Sequence, residues 1–137
     1  MTMSAWTTDQ LDRISGAQEM RIAGRRRDGS LRKPVIVWMV RVGDDLYTRS
    51  VNGADAAWFR GTRVRHEGHI SAGGVDVDVD FLDVDGDENA INDVVDAAYR
   101  SKYGHYPSPV VAITSSHARA TTLKVVPHAG TPDLPQE

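Results

Sequence analysis

The pattern of apolar and polar positions predicts a chain made mainly of short antiparallel strands. Apolar and polar residues alternate over residues 19–23, 46–51 and 75–81, as they do in strands with one buried face. In residues 75–81, three valines and a phenylalanine alternate with three aspartates. These segments follow one another through short turns rather than through helices, which indicates an antiparallel sheet.

Residues 35–42 form the most apolar stretch of the chain, so we predict one central strand that is buried on much of both faces. Asp28 and Gly29 precede it and favour a hairpin turn, because both residues tolerate a positive φ. Three further strands are predicted over residues 63–70, 110–114 and 120–126.

Helices are predicted in three places. A helix over residues 8–15 begins beside threonines that can cap its first amide groups, and Gly16 ends it. Residues 89–103 carry one apolar stripe at helical spacing and predict a longer helix that ends at Gly104. Residues 54–60 can form one or two helical turns.

Together these elements predict one α+β domain over residues 1–127, built around a small antiparallel β-barrel with one long helix in its C-terminal half. Residues 128–137 lack periodicity and predict a disordered tail. A chain of 137 residues is close to the commonest domain size, so one hydrophobic core is expected.

Composition removes several classes of function. The chain has no cysteine, which excludes disulfides, thiolate catalysis and iron–sulfur clusters. Its net charge of −3 argues against a general nucleic-acid-binding protein. No apolar stretch approaches 18 residues and the first ten residues do not resemble a signal peptide. We therefore expect a cytoplasmic protein that binds neither membrane nor nucleic acid.

A basic hairpin is the first candidate site, and it carries Arg25, Arg26, Arg27, Arg32 and Lys33. Guanidinium groups bind phosphates and carboxylates through paired hydrogen bonds, so this hairpin is a candidate anion-binding edge. The alternative is a solvated hairpin whose charge is offset by the acidic residues 76–88. Arg32 is the best candidate of the five because it leads into the predicted buried strand.

Arg41, Arg49 and Ser50 form a second candidate, near the ends of adjacent predicted strands. A guanidinium and a hydroxyl on neighbouring strands can hold a phosphate through charge-assisted hydrogen bonds. The alternative for these arginines is surface pairing with Asp44 or Asp45.

The tryptophans are candidates to stack on a flat ring system, although core packing is the default for aromatic side chains. We expect Trp38 to lie in the core. Trp58 precedes Phe59 and Arg60 in a short polar segment, so it is the better candidate for ligand contact.

Metal and common catalytic motifs are not predicted. The aspartates of residues 83–87 do not fit a calcium loop, because Glu88 stands where glycine is required and Val94 where the bidentate carboxylate belongs. His66 and His69 are three residues apart, which places them on opposite faces of a strand. The sequence contains no phosphate loop, dinucleotide fingerprint or nucleophile motif.

Several short strings occur in the order found in a known family, namely residues 32–38 (RKPVIVW), 41–50 (RVGDDLYTRS), 57–60 (AWFR), 73–75 (GGV), 98–104 (AYRSKYG) and 120–123 (ATTL). Over residues 6–127 the chain resembles a bacterial family of small proteins of unknown function, number 2255 in that series. That family is similar to the flavin-binding split-barrel superfamily, which includes deazaflavin-dependent nitroreductases and pyridoxamine-phosphate-oxidase-like proteins.

The resemblance implies a six-stranded split barrel that forms a homodimer, with a flavin (FMN) or deazaflavin at the dimer interface. It implies that Arg32, Arg49 and Ser50 lie where such proteins hold cofactor phosphate. It also implies that Trp58 and Arg60 border the same cleft.

Our leading hypothesis is therefore an oxidoreductase in which the cofactor transfers hydride to a small organic substrate, with Arg32, Arg41, Arg49, Ser50, Trp58 and Arg60 as candidate cofactor-binding residues. The alternative is a protein without the cofactor that binds another small anion or acts as an interaction module.

Overall fold

The computed structural model describes residues 5–85 and 87–128. Its helices are α1 (Thr8–Ser15), α2 (Ala57–Arg65), α3 (Asn89–Tyr103), α4 (Pro107–Ile113) and α5 (Ser116–Arg119), with a 3₁₀ turn at Gly53–Asp55. Its strands are β1 (Met20–Gly24), β2 (Val35–Val37), β3 (Met39–Val42), β4 (Asp45–Thr48), β5 (Glu67–Ala72), β6 (Val75–Asp83) and β7 (Leu123–Pro127). No helix in these two ranges is long and apolar enough to cross a membrane.

All seven strands join one antiparallel sheet in the order β2-β1-β5-β6-β7-β4-β3. The two edge strands, β2 and β3, are consecutive in the chain and are separated only by Trp38. Both ends of the sheet therefore meet at this residue, and the sheet curls into a nearly closed barrel. The predicted α+β split-barrel class is confirmed, with seven strands rather than six.

The prediction of one strand over residues 35–42 is wrong. Val37 pairs with Met20 of β1 at one edge of the sheet, whereas Met39 pairs with Thr48 of β4 at the other edge. Apolar residues continue across the bend at Trp38, so the sequence pattern does not reveal it. The side chains of β2 and those of β3 are buried in different parts of the protein. Nor is the segment buried on both faces, since Ile36 is 53% exposed.

The barrel interior holds the larger of two hydrophobic clusters, to which all seven strands contribute buried side chains. Helix α1 adds Leu11 and Ile14, while Thr7 caps its first turn by accepting a hydrogen bond from the Gln10 amide. Trp6 joins the same cluster and donates its indole N–H to the Val125 carbonyl at 2.9 Å. Burial of these side chains supplies most of the driving force for closing the sheet.

The second cluster lies between the sheet and α3 with α4. It contains Val40, Tyr47, Val95, Tyr99, Tyr103, Val110 and Ile113, all of them buried. The apolar stripe that predicted α3 supplies Val95 and Tyr99, and the predicted bounds of α1 and α3 are confirmed. This cluster holds α3 against β3.

Four other sequence predictions need correction. Helix α2 continues to Arg65, so the strand predicted to start at residue 63 begins at Glu67. His66 ends the helix with a positive φ of 56°, a conformation that sequence periodicity does not reveal. Residues 110–113 of the strand predicted over 110–114 lie instead in α4. The first turn of this helix contains prolines, which have no amide hydrogen; they are tolerated there because first-turn amides have no acceptor within the helix.

The last strand also differs, since it spans Leu123–Pro127 rather than residues 120–126. The preceding residues form α5, where Ser115 accepts a hydrogen bond from the Ala118 amide. The disordered tail predicted for residues 128–137 lies outside the described residues from position 129 onward.

Helix α2 packs on β1 through two glycines. A β-carbon at Gly24 would lie 2.8 Å from the carbonyl oxygen of Gly61 and 2.9 Å from its carbonyl carbon. This contact leaves no space for a methyl group, so the helix can approach the strand this closely only because Gly24 has no side chain.

We predict that Gly24→Ala lowers the free energy of unfolding by about 1–3 kcal/mol, because the new methyl group pushes α2 away from β1. Urea denaturation measures the loss. Gly16→Ala is the control, with an expected change below about 0.5 kcal/mol, because Gly16 has ordinary helical φ and ψ and its nearest backbone atom would be 3.2 Å away. Equal midpoints for the two variants would contradict the packing described.

Candidate ligand-binding site

A cleft of about 320 Å³ opens beside the bend between β2 and β3. It is lined by Glu19, Val35, Ile36, Val37, Trp38, Arg49, Val51, Asn52, Trp58, Pro109 and Ile113. The lining is mostly apolar. Its polar residues besides Arg49 are Glu19 and Asn52, whose side chains make no hydrogen bond within the described chain. Its size is at the lower end of the range for small-molecule sites, and such sites combine apolar walls with few polar groups.

Two tryptophans contribute to the walls of the cleft. Trp38 is half-buried and stacks on Tyr103, with ring centroids 3.9 Å apart and planes 5° apart. Trp58, on α2, is also half-buried and meets Phe59 edge-on at 6.1 Å. Both rings are supported by a buried aromatic neighbour, so they present fixed apolar surfaces to the cleft.

The Arg49 side chain is completely buried, and its five N–H groups are engaged within the protein. Nε donates to Thr122 Oγ1, Nη1 donates to Asp96 Oδ1 and the Ile113 carbonyl, and Nη2 donates twice to Asn92. A guanidinium has five donors, so none is left for a ligand phosphate. The structure therefore gives Arg49 an internal role, although it also lines the cleft.

Asp96 completes this buried network by binding a second arginine. Its Oδ2 accepts a hydrogen bond from Arg119 at 2.8 Å, while its Oδ1 binds Arg49 at 2.5 Å. The carboxylate is thus paired on both oxygens, which compensates the cost of its burial. The network fastens the segment after β4 to α3, α4 and the loop before β7.

Ser50 follows Arg49 and is also buried. Its amide donates to Thr121 Oγ1 at 2.8 Å, but its own hydroxyl has no hydrogen-bond partner. Within the described residues it is the one buried side-chain polar atom in this condition. Buried hydroxyls without partners are costly, so Ser50 Oγ has unused capacity for a water or a ligand atom.

Arg41 is not brought to the cleft. Its Nη1 binds Asp12 of α1 at 2.8 Å, and its Nε donates to the Gly43 carbonyl. The predicted surface pairing with Asp44 or Asp45 is replaced by this pairing with α1. The role of Arg41 as a ligand-binding residue remains a prediction, and Arg41 is not among the residues that line the cleft.

Arg32 lies at the contact between α2 and the basic hairpin. The Cδ and Nε atoms of Arg32 lie against Gly61, where a β-carbon would be 2.7 Å from each. Gly61 is one helical turn after Trp58, so the Arg32 side chain lies close to the cleft wall. Arg60 is exposed on α2. In the described chain neither guanidinium has an ion-pair partner.

The two arginines belong to a larger basic face, defined here as the hairpin of residues 24–33 together with α2. Arg65 Nη1 donates to the Arg27 carbonyl at 3.3 Å and so joins the helix to the hairpin. These residues hold eight of the 16 basic side chains and one of the 19 acidic ones, a local net charge of +7. The rest of the chain therefore carries −10, which the overall charge of −3 conceals.

The aspartates of β6 bind histidine and arginine side chains on the surface of the sheet. His69 bridges Asp76 and Asp78, Arg25 binds Asp78, and His128 binds Asp80. Burial lowers the pKa of His69, but its hydrogen bonds to Asp78 and Asp76 outweigh burial and raise it. No group of three or more acidic or histidine side chains in residues 5–85 and 87–128 is arranged to hold a metal ion.

Sequence reasoning missed part of the lining. Trp38 was expected in the core; it packs against the second cluster, but it is only half-buried and also lines the cleft. Pro109 and Ile113 were missed because the segment 107–113 was interpreted as a strand. The two prolines at its start were the available signal, since proline is tolerated in the first turn of a helix and not within a central strand.

Comparisons with known proteins identify the family of this chain. Residues 10–125 match the family described as an uncharacterized protein conserved in bacteria (DUF2255). The chain belongs to this family. A comparison with curated proteins finds no match.

Two solved structures share the fold of this family member. The heme storage protein HutZ from Vibrio cholerae is 12% identical, with a TM-score of 0.62 over 87% of each chain. The conserved hypothetical protein Rv2991 from Mycobacterium tuberculosis is 10% identical, with a TM-score of 0.54 over 96% of this chain and 86% of its own. At these identities the likeness concerns the fold, and it supports the split-barrel class.

We predict that Asp96→Ala lowers the free energy of unfolding by about 3–5 kcal/mol, because it leaves Arg49 buried without its counter-ion. Asp12→Ala is the matched control. It removes the exposed partner of Arg41 and should cost less than about 1 kcal/mol. Chemical denaturation of both variants at neutral pH measures the difference, and equal losses would show that the Arg49 network is not the stronger one.

Proposed function

We propose that this protein binds a planar, anionic cofactor of the flavin or deazaflavin class in the cleft and uses it for hydride transfer to a small organic substrate. The observation that carries the proposal is an apolar cleft walled by two tryptophans, together with Arg32, which packs on Gly61 one helical turn from Trp58 and has no ion-pair partner in the described chain. A molecule with a flat ring at one end and a negative charge at the other matches both features.

The ring end fits the cleft walls. Trp38 and Trp58 offer fixed aromatic surfaces, and Val35, Val51 and Ile113 are the apolar groups around them. Aromatic and apolar surfaces of this kind bind flat heterocycles by stacking and desolvation. The side-chain amide of Asn52, with donors and an acceptor, can orient the polar edge of such a ring.

The anionic end fits Arg32 better than Arg49. Arg32 is half-buried against Gly61, one helical turn from Trp58, and its guanidinium is free of internal ion pairs in the described chain. Arg60 adds a second free guanidinium on the same helix as Trp58. Charge-assisted, bidentate bonds from arginine suit phosphate and carboxylate groups. Ser50 is buried and is not among the residues that line the cleft, and Arg49 positions the wall.

The protein's own part in the reaction is binding, orientation and exclusion of water. A bound flavin or deazaflavin would supply the hydride chemistry itself. No side-chain nucleophile is then required, and among the described residues that line the cleft Glu19 alone carries a carboxylate. The apolar walls would exclude water from the reacting face of the ring.

Heme fits this cleft less well, although HutZ, which shares the fold, is described as a heme storage protein. Protein-bound heme iron takes an axial ligand such as histidine, cysteine, methionine or tyrosine. None of the residues that line the cleft in the described chain is of these types. The donor set therefore favours a metal-free ring system.

The second candidate function is binding without catalysis. It is favoured by the fold likeness to HutZ, because HutZ is described by the molecule that it stores and not by a reaction. In that case the cleft and Arg32 would hold a small anionic molecule for storage or regulation. Ligand binding without turnover would distinguish this function from the first.

We further propose that the protein forms a homodimer that covers the cleft. Ile36 and Val51 line the cleft and are 53% and 45% exposed, respectively, so the rim of the cleft presents apolar surface to solvent. A second copy packed on this surface would bury both. Sedimentation of the purified protein gives the oligomeric state, and a monomer at micromolar concentration would contradict this part.

The test of the proposed function is a fluorescence titration of the purified protein with FMN and, separately, with a deazaflavin coenzyme. Stacking on Trp38 or Trp58 should quench tryptophan fluorescence with micromolar affinity. We predict that Trp58→Ala and Arg32→Ala each weaken binding by about tenfold, which corresponds to about 1.4 kcal/mol. Arg100→Ala, which replaces an exposed arginine of α3 that is not among the cleft-lining residues, should leave affinity unchanged.

Two results would contradict the proposal. Absence of binding to both molecules by folded protein would exclude the cofactor class. Equal weakening by Arg32→Ala and Arg100→Ala would show that the anion is held by general charge and not at the cleft. Binding followed by no reduction of any nitroaromatic or quinone substrate would favour the second candidate.

A further inference from the structure

Glu19 carries the one unbalanced charge among the described residues that line the cleft. The other charged residue of the lining is Arg49, and the buried carboxylate of Asp96 neutralises it. The Glu19 side chain is exposed and has neither a hydrogen-bond nor an ion-pair partner within residues 5–85 and 87–128. A carboxylate without a partner beside apolar walls attracts a group of opposite charge.

The backbone on both sides of Glu19 is fixed, which places this residue at one end of the cleft. The Tyr103 hydroxyl donates to the Gln18 carbonyl at 2.8 Å, and Met20 is buried and pairs with β2. Extending this pairing by one residue places Glu19 opposite Trp38, which stacks on Tyr103. Burial raises the pKa of Tyr103 to about 12, and the nearby charge of Glu19 adds to this rise. The carboxylate therefore lies at the Trp38 end of the cleft.

Arg32 lies near the opposite end of the same two strands. Its amide donates to the carbonyl of Gly24, the last residue of β1, at 2.9 Å. Five residues of extended chain separate Gly24 from Glu19, which corresponds to about 16 Å. The cleft therefore has a cationic side chain near one end and an anionic side chain at the other, so the two ends attract ligand groups of opposite charge.

The lysine that contacts the Tyr103 ring does not neutralise Glu19. The amine of Lys102 lies 5.1 Å from the centroid of this ring and donates to the Met39 carbonyl at 3.1 Å. Lys102 is not among the residues that line the cleft, and in the described chain it has no carboxylate partner. Burial lowers its pKa to about 8, whereas a paired carboxylate would raise it. The charge of Glu19 thus remains available to a ligand.

We propose that the Trp38 end of the cleft is a subsite for a small organic cation, in which Glu19 accepts hydrogen bonds from a primary ammonium group. An ammonium group has three donors and no acceptor, so it suits a carboxylate that lacks a partner. Ile36, Val37 and Trp38 provide apolar surface for the hydrocarbon part of the same ligand. That this cation belongs to the substrate rests on the proposed function, whereas ammonium binding at Glu19 does not.

The test uses three ligands of similar shape and different charge, namely phenethylamine, 2-phenylethanol and 3-phenylpropionate, with the folded, full-length protein and no cofactor. NMR signals of the indole N–H groups follow binding. Trp38 and Trp58 line the cleft, whereas Trp6 is buried in the barrel and serves as the internal reference. We predict that phenethylamine shifts the Trp38 signal most and binds about fivefold more tightly than 2-phenylethanol, as expected for an exposed ion pair. 3-Phenylpropionate should bind this end most weakly, because Glu19 repels it.

Substitutions at Glu19 assign the preference to one carboxylate. Glu19→Gln keeps the shape and removes the charge, so it should weaken phenethylamine binding about fivefold and leave 2-phenylethanol unaffected. Glu19→Lys should reverse the preference in favour of 3-phenylpropionate. Asp44→Asn is the matched control, because it removes an exposed carboxylate that is not among the cleft-lining residues, and it should change neither affinity. High salt should reduce the preference of the unaltered protein for the amine.

Three outcomes would overturn the proposal. These are equal affinities for phenethylamine and 2-phenylethanol, equal effects of Glu19→Gln and Asp44→Asn on amine binding, and an amine that leaves the Trp38 signal unmoved. The titration contains no cofactor, so its failure is distinguishable from failure of the proposed function. Absence of FMN binding would leave the ammonium subsite intact, and absence of amine binding would leave the FMN result intact.

Discussion

The bend at Trp38 is the constraint on which the rest of the structure depends. Two consecutive strands can occupy opposite edges of one sheet only if the chain turns sharply between them and the sheet curls until its edges meet. This arrangement leaves Trp38 outside both strands, stacked on Tyr103 and exposed to the cleft on the side where the edges meet. The cleft is therefore a direct product of barrel closure.

The buried Arg49 holds the elements around the cleft in position. Arg49 contacts β7's preceding loop, α3 and α4 through one guanidinium, and Asp96 neutralises it. Taking such a pair out of water is expensive, so its contribution is the fixed position of the surrounding elements more than net stability. Because Ile113 accepts one of these bonds and also lines the cleft, the network sets the position of the cleft wall.

Sequence patterns predicted the elements whose burial follows a single period. The alternation of residues 75–81 and the helical stripe of residues 89–103 both have one buried face, and both segments were located correctly. The segment 35–42 failed because its apolar run combines two burial directions joined by a bend. Arg49 was predicted to hold a phosphate, but its partners are 43 to 73 residues away in sequence, so no local pattern could assign its five bonds.

Charge is segregated along this chain more strongly than its net value suggests, with +7 on the basic face and −10 elsewhere. Arg25, Arg63 and Arg65 of this face pair with Asp78, Asp83 and Glu67, which offsets part of its charge. The field of the remaining basic groups acts on charged ligands before any contact is made. An anionic ligand would be turned and drawn towards the hairpin and α2 while it diffuses. The rate of encounter would then fall as dissolved salt screens the field over distances of about 10 Å.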